Sequence, residues 1–155
     1  MAGKREAAAE GAGLGARELF SSGYNCSQAV LLAAAGTLGV GCECMAKAAA
    51  GLGGGLGRTG EACGALTGGV MCIGLAMDHE TPGTPEEKEA LYAVVRRFVE
   101  RFERENGARC CRDLLGVDLS TPEGRAESRQ KDHHNTVCAA IVERAARAVV
   151  ELSLE

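Results

Sequence analysis

The segment that most restricts the fold of this chain is a glycine-rich stretch from Gly51 to Gly69, which reads GLGGGLGRTGEACGALTGG. Nine of its residues are glycine, and one is a cysteine, Cys63. Glycine weakens helices and strands, but it accepts left-handed backbone conformations and lets other backbones approach closely. The stretch therefore predicts a tight loop that leads into a helix over 63–79, with Gly64 and Gly68 on a smooth face one turn apart.

Part of this stretch, GLGRTG from Gly55 to Gly60, matches the G-x-G-x-x-G pattern of dinucleotide-binding loops. Asp78 follows near the position of the acidic residue that contacts the ribose in such sites. That fingerprint also requires a strand before the loop and a parallel sheet around it. The alanine-rich segment before the loop does not read as a strand, and no series of strands and helices follows. No nucleotide cofactor is expected.

The composition favours an all-α fold. Aromatic residues make up only 3% of the chain, and alanine and glycine are abundant. Residues that favour strands are correspondingly sparse. We predict a single helical domain over residues 1–155, a compact bundle of about five to six helices with a glycine-rich loop. Residues 1–22 form its first helix, in a position that we expect to be peripheral.

Local signals predict where several helices begin and end. Asn25 is a good N-cap for the segment CSQAVLLAAAGTLG. Thr84, followed by proline and two glutamates, predicts the start of the longest helix, and Gly107 predicts its end. Asn135 is the predicted cap of the last helix. The polar segment 118–132 predicts a loop with a short helical piece.

The charge pattern excludes several classes of partner. The net charge is −4, so neither nucleic acid nor an anionic membrane surface is an expected partner. The N-terminal segment has no apolar core of a secretory signal, which favours a cytoplasmic location. In that reducing compartment structural disulfides are rare, so several thiols indicate metal binding, catalysis or simple packing.

Four of the eight cysteines are predicted at helix N-termini: Cys26, Cys63, Cys111 and Cys138. Free backbone N–H groups and the helix dipole stabilise a thiolate there and can lower its pKa to between about 3.5 and 7.5. Because thiolates are both nucleophiles and metal ligands, four such positions could converge on a redox or iron–sulfur site. The alternative is that each is a buried, inert side chain.

The other four cysteines have weaker signals. No C-x-x-C motif occurs, so the usual thioredoxin, zinc-ribbon and ferredoxin signatures are missing. Cys42–Cys44 and Cys110–Cys111 are close pairs that would close strained rings as disulfides. Cys72 is about half a turn out of phase with Cys63 on the same helix. The sequence does not decide whether Cys42, Cys44, Cys72 and Cys110 take part in any chemistry.

With these positions in hand, the chain resembles the C_GCAxxG_C_C family of redox-active proteins. The elements that carry the resemblance are NCSQAV around Cys26, GLGGGLGRTGEACGALTGGVM around Cys63, CRDLLG at Cys111 and VCAAIVERAA around Cys138. The central motif differs from the family name, since ACGALTGG has alanine before Cys63 and glycine after it. The resemblance implies a helical fold and a redox role for the four cysteines.

Two modes of action are open for these four residues, as catalytic cysteines or as ligands. One is thiol–disulfide exchange with a redox partner protein, in which Cys63 is the expected nucleophile and another cysteine resolves. The other is electron transfer through an iron–sulfur cluster or another thiolate-bound metal, held by the same cysteines, with His134 as an additional candidate ligand because it precedes Cys138 by one turn. The sequence leaves open whether the chain is an enzyme.

The competing hypothesis is a helical interaction module without catalytic activity. In that case the cysteines only pack, and the chain is a homodimer through small-residue faces such as Gly64 and Gly68. The distances among the four sulfurs distinguish the two hypotheses, because scattered sulfurs would favour the module.

Overall fold

A computed structural model describes the whole chain, residues 1–155. The fold is all-α, as predicted, and its only β interaction is an isolated antiparallel bridge between Ala62 and Cys110. No helix has the length and apolar character needed to cross a membrane. A 3₁₀ turn lies at Ala50–Leu52 and a π-helical turn at His134–Cys138, and the α-helical segments are α1 (Ala2–Ser21), α2 (Cys26–Leu38), α3 (Met45–Ala48), α4 (Gly53–Leu56), α5 (Gly64–Ala76), α6 (Pro85–Asn106), α7 (Cys111–Leu115), α8 (Pro122–Gln130) and α9 (Ala139–Ser153).

The predicted number of helices, five to six, is too low because the prediction did not count the short helices. Helices α1, α2, α5, α6 and α9 are the long ones, of 13 residues or more. Helices α3 and α4 are four residues each, which is too short for apolar periodicity to register. The segment 118–132, predicted mainly as loop, is mostly α8, which Thr121 caps by accepting a hydrogen bond from the Gly124 N–H.

The N-terminal helix is not peripheral. Helix α1 packs along α9 and α2, and it contributes Ala9, Ala12, Ala16 and Phe20 to the core. Gly13 makes this approach possible, because a Cβ there would lie 3.0 Å from the backbone oxygen of Glu143. The earlier expectation was wrong because the glycines weaken α1 as an isolated helix while providing the close contact that stabilises it in the fold.

The small-residue face of α5 packs against α2. A Cβ on Gly68 would lie 2.3 Å from the carbonyl oxygen of Ser27, and one on Gly64 would lie 3.0 Å from the Ser27 nitrogen. The two backbones therefore meet directly, and Ser27 is fully buried between them. This corrects the expectation that Gly64 and Gly68 form a dimer contact, because α2 of the same chain already occupies that face.

Two of the three predicted N-caps are confirmed. Asn25 and Thr84 both form complete capping boxes, with Gln28 and Glu87 as the third helical residues. Asn135 does not cap the last helix. The helical turn begins earlier, since the Thr136 N–H already donates to Asp132, and Asn135 instead donates its side-chain amide to the Asp132 carboxylate.

The glycine-rich loop contains an unusual left-handed turn. Five consecutive residues from Gly54 to Arg58 have positive φ angles, between 62° and 70°. Glycine is the residue that adopts this conformation without steric cost, and three of the five are glycine. A Cβ on Gly55 would also lie 2.4 Å from the backbone oxygen of Glu61. The G-x-G-x-x-G spacing therefore builds a compact turn, and the parallel sheet that a dinucleotide site requires is not part of this fold.

Candidate functional site

The four cysteines Cys26, Cys63, Cys111 and Cys138, hereafter the cavity cysteines, line a single cavity of about 590 Å³. The cavity opens between the N-terminal ends of α2 and α5, the glycine-rich loop, α7 and the start of α9. The other four cysteines do not line it. Residues far apart in sequence thus meet at one place, which argues against the hypothesis of scattered packing cysteines.

A short backbone pairing brings Cys63 and Cys111 together. The Cys63 N–H donates to the Arg109 oxygen at 2.9 Å, and the Cys111 N–H donates to the Glu61 oxygen at 2.8 Å. These bonds flank the bridge between Ala62 and Cys110. Each cysteine then enters a helix directly: Cys63 is the N-cap of α5, and Cys111 is the first residue of α7. The end of the glycine-rich loop is thereby held against the start of α7.

Cys26 reaches the same place through the close packing of α2 on α5. A Cβ on Gly64 would lie 3.2 Å from the Cys26 Cβ, so only a glycine lets the start of α5 sit this close to Cys26. Asn25, next to Cys26, also ties α2 to the loop by donating from Nδ2 to the Ala50 oxygen at 2.9 Å. Cys26 is the first residue of α2, as its predicted position at a helix N-terminus required.

Cys138 is the exception to the predicted pattern of helix N-termini. It ends the π-helical turn His134–Cys138, which runs without interruption into α9. The helical conformation begins one turn earlier, so Cys138 lies inside the continuous helix. The wider π turn, in which the Ala139 N–H bonds the His134 oxygen, is a feature that often marks functional positions in helices.

An aromatic pair forms part of the cavity wall. The His134 imidazole stacks on the Phe20 ring, with 4.0 Å between the ring centroids and 13° between their planes, and both residues line the cavity. His134 and Cys138 therefore line the same cavity, as their spacing of one helical turn predicted. Phe20 was not predicted, since an apolar aromatic at the end of a helix reads only as a core residue.

Burial, rather than helix position, controls the acidity of two of these thiols. Burial raises the pKa of Cys63 to about 11 from an ordinary value of 9.0, although the Ala65 and Leu66 N–H groups at the start of α5 stabilise its thiolate. Burial likewise raises the pKa of Cys111 to about 12. The expectation that helix N-termini would lower these pKa values was wrong, because removing the sulfurs from water costs the thiolate more than the N–H groups return.

Cys26 and Cys138 form an unequal pair. Contact with Cys138, followed by burial and the nearby cavity thiols, raises the pKa of Cys26 well above its usual value. The same contact lowers the pKa of Cys138, because the neighbouring Cys26 thiol stabilises its thiolate. Cys138 is therefore the cavity thiol most readily ionised.

The comparison with known proteins agrees with this arrangement. The profile of a family described as "Putative redox-active protein (C_GCAxxG_C_C)" matches residues 24–152. This chain belongs to the C_GCAxxG_C_C family. The match includes all four cavity cysteines and leaves out α1. No curated protein and no solved structure shows a significant match to the chain.

The cavity side chains are not arranged to hold a single metal ion. No three His, Cys, Asp or Glu side chains lie within reach of one metal ion. The ligand set considered from the sequence, the four cavity cysteines with His134, therefore surrounds a common space without converging on a point. The arrangement fits reactions between pairs of thiols better than it fits a mononuclear metal ion.

The remaining cysteines fall into two groups. Cys72 is completely buried in the core between α5 and its neighbours, and burial raises its pKa to about 12, which is typical of an inert thiol. Cys110 is half-buried beside the bridge to Ala62. Cys42 and Cys44 are exposed, with 2.9 Å between their sulfurs.

Proposed function

We propose that this C_GCAxxG_C_C family member is a redox protein that performs thiol–disulfide exchange in the cysteine-lined cavity, with Cys138 as the attacking thiol and Cys26 as the resolving thiol. The observation that carries the proposal is the convergence of the four cavity cysteines on one cavity. Within it, the pKa of Cys26 is raised and that of Cys138 is lowered, which supports the choice of this pair. Thiolate is the reactive form, and a thiolate next to a protonated partner is the arrangement that exchange requires.

The exchange would proceed in two balanced steps. The Cys138 thiolate attacks one sulfur of a disulfide on a partner protein, the partner S–S bond breaks, and a mixed disulfide forms. The departing partner thiolate takes the proton of Cys26, which becomes the second nucleophile. Cys26 then attacks the Cys138 sulfur and releases the second partner thiolate, which takes up a proton from solvent. The partner is reduced by two electrons, and Cys26 and Cys138 are oxidised to a disulfide.

Cys63 and Cys111 support this pair by remaining neutral. Their raised pKa values keep them protonated near neutral pH, so they place no negative charge beside Cys138. Negative charge on Cys63 or Cys111 raises the pKa of Cys26 further, which supports a cavity with a single thiolate at a time. The expectation that Cys63 would be the nucleophile is replaced by this assignment.

The setting we propose is a reducing, cytoplasmic compartment in which a redox partner protein recycles the disulfide. The ~590 Å³ cavity is large enough to admit the extended segment of a partner that carries the disulfide. The net charge of −4 makes nucleic acid and anionic membranes poor alternatives as partners. A homodimer remains compatible with the proposal, through a surface other than the face of α5.

The test is a redox titration in glutathione buffers, with the disulfides trapped by acid and alkylation and mapped by fragmentation mass spectrometry. We expect a disulfide between Cys26 and Cys138 that forms and reopens reversibly. Replacing either residue with serine should abolish it. Cys72→Ser is the matched control, because Cys72 is also buried but lies outside the cavity, and this variant should titrate as the wild type does.

The competing mode is tested in the same samples by purification without oxygen and by iron, zinc and sulfide analysis. Thiol–disulfide exchange predicts less than one metal ion per chain and a colourless protein. Stoichiometric iron and sulfide that are lost together when any cavity cysteine is replaced would contradict the proposal and establish a cluster instead. Failure of Cys26 and Cys138 to pair at any buffer ratio would also refute it.

A further inference from the structure

Outside the cavity, a second pair of cysteines lies on the surface in the connection between α2 and α3. Cys42 and Cys44, hereafter the turn pair, are both exposed, and 2.9 Å separates their sulfurs. The Met45 N–H donates to the Cys42 oxygen at 3.2 Å, which closes the backbone around the two cysteines. The turn therefore holds two accessible thiols in contact before any reaction takes place.

We propose that the turn pair is a second dithiol site, which exchanges with exposed disulfides of peptides and proteins that are too bulky to enter the cavity. Cys42 is the attacking residue and Cys44 the resolving residue. The proposal does not depend on the cavity cysteines, because neither residue of the turn pair lines the cavity.

The environment of the two sulfurs supports this order of attack. The Cys44 thiol, and after it the nearby backbone N–H groups of Cys44 and Met45, stabilise the Cys42 thiolate and lower the pKa of Cys42. The same contact raises the pKa of Cys44. Neither residue carries the burial that raises the pKa values of Cys63 and Cys111, so the Cys42 thiolate is both more populated and more accessible.

The chemistry again balances as two displacements. The Cys42 thiolate attacks an external disulfide, forms a mixed disulfide and releases one thiolate, which is protonated by Cys44. Cys44 then attacks the Cys42 sulfur, closes the Cys42–Cys44 disulfide and releases the second thiolate, which takes up a proton from solvent. The external disulfide gains two electrons and two protons. A disulfide between residues two apart on an exposed turn is readily reduced again, as labile and catalytic disulfides are.

The sequence alone could not assign this role. A C-x-C spacing permits either contact or separation of the two sulfurs, and it lies outside the family motif. What distinguishes the turn pair is the combination of exposure and sulfur contact, which depends on the turn that Gly41, with a φ angle of 123°, introduces before it.

The experiment uses the full chain and oxidised glutathione as the probe disulfide. Wild-type protein should form the Cys42–Cys44 disulfide, detected by fragmentation mass spectrometry, without lasting glutathione adducts. Cys44→Ser should trap glutathione on Cys42, because the resolving thiol is missing. Cys42→Ser should react at Cys44 a few-fold more slowly than Cys44→Ser reacts at Cys42, because the backbone N–H groups of residues 44 and 45, which lower the pKa of Cys42, remain in Cys44→Ser.

Each alternative outcome overturns the inference. Equal glutathionylation rates of the two variants would remove the assigned order, and no intramolecular disulfide in wild type would remove the site. A Cys26→Ser/Cys138→Ser variant separates this inference from the proposed function, because it lacks the cavity pair and should retain full exchange at the turn pair. Loss of turn exchange in that variant would show that the two sites are one system and would contradict the proposal.

Discussion

The cavity and the turn between α2 and α3 each bring a pair of cysteine sulfurs into contact, but they do so in opposite surroundings. In the cavity, Cys26 and Cys138 lie among buried thiols, with Cys63 only 6% exposed and Cys111 8% exposed. At the turn, Cys42 and Cys44 are in water. In both places one cysteine of the pair has a raised pKa and the other a lowered one, and each partner contributes to the shift of the other. The contact selects which cysteine ionises, and the surroundings determine how easily.

A helix N-terminus alone is a weak predictor of thiol reactivity. Two backbone N–H groups of α5 stabilise the Cys63 thiolate, but the pKa of Cys63 is still about 11 because the side chain is buried. Cys42 receives two N–H groups in an exposed turn, and its pKa falls. The N–H groups act in the same direction in both cases, so the difference lies in desolvation of the thiolate.

The largest effect should come from the helix contact that builds the cavity. Gly68→Ala places a Cβ 2.3 Å from the Ser27 oxygen, and because both sides are backbone, α2 and α5 must move apart. We expect a loss of about 3 kcal/mol in the free energy of unfolding, measured by urea denaturation.

Gly74→Ala is the matched control for that substitution. It lies on the same helix with no atom within 4 Å of the new Cβ, and it should stabilise the protein by about 0.5–1 kcal/mol. Equal stability of the two variants would contradict the close backbone contact between Gly68 of α5 and Ser27 of α2. Gly68→Ala should slow the reactions of the cavity cysteines through misplacement while leaving glutathionylation of the turn pair unchanged.

A second effect should appear at alkaline pH. The pKa of Cys63 is raised by folding, so its contribution to stability is complete below pH 9 and is lost as pH rises through about 11. The loss above that pH amounts to about 3 kcal/mol. Cys63→Ser, which does not titrate in this range, should show a shallower decline in stability between pH 9 and 11 than wild type.

The turn pair provides the contrast for that measurement. Cys42 is exposed and its pKa shift is opposite to that of Cys44, so Cys42→Ser should change the alkaline decline less than Cys63→Ser does. Identical pH profiles for wild type and Cys63→Ser would mean that the Cys63 thiol is not desolvated, and the distinction between the two regions would fail.

The smallest effect concerns access to the cavity. His134→Ala removes the ring that stacks on Phe20, which opens the wall beside Cys138. Alkylation of Cys138 should become a few-fold faster at constant pH, whereas the rate at Cys42 should not change. His79→Ala, at a half-buried position outside the cavity, is the control. No change at Cys138 would assign the histidine a role other than covering the cavity.

Much of the fold could be predicted from local sequence signals. The all-α class followed from composition, and the caps at Asn25 and Thr84 followed from side chains that bond the first turn of their own helices. The same locality explains why the order of the four cysteines could be matched to a family before any geometry was known. Each of these signals is contained within a few residues of the chain.

The predictions that were wrong concern features that depend on contacts between segments distant in the sequence. The core position of α1 requires the facing surface of α9. The start of the last helix was misplaced because the left-handed Asp132, with a φ angle of 53°, and the π turn after it are not encoded by ordinary capping residues. The pKa values of the cavity thiols depend on burial by several helices and the glycine-rich loop, which cannot be predicted from the spacing of the cysteines along the chain.

The measurement that tests the account most directly is the pH dependence of alkylation at each cysteine, followed by mass spectrometry in the native protein. Cys138 should titrate below 9.0, and Cys63 and Cys111 should titrate later, near 11 and 12. At neutral pH Cys63 should react about 100-fold more slowly than an ordinary thiol. If Cys63 or Cys111 instead ionises before Cys138, helix position rather than burial controls the site, and the assignment of Cys138 as the attacking thiol is contradicted.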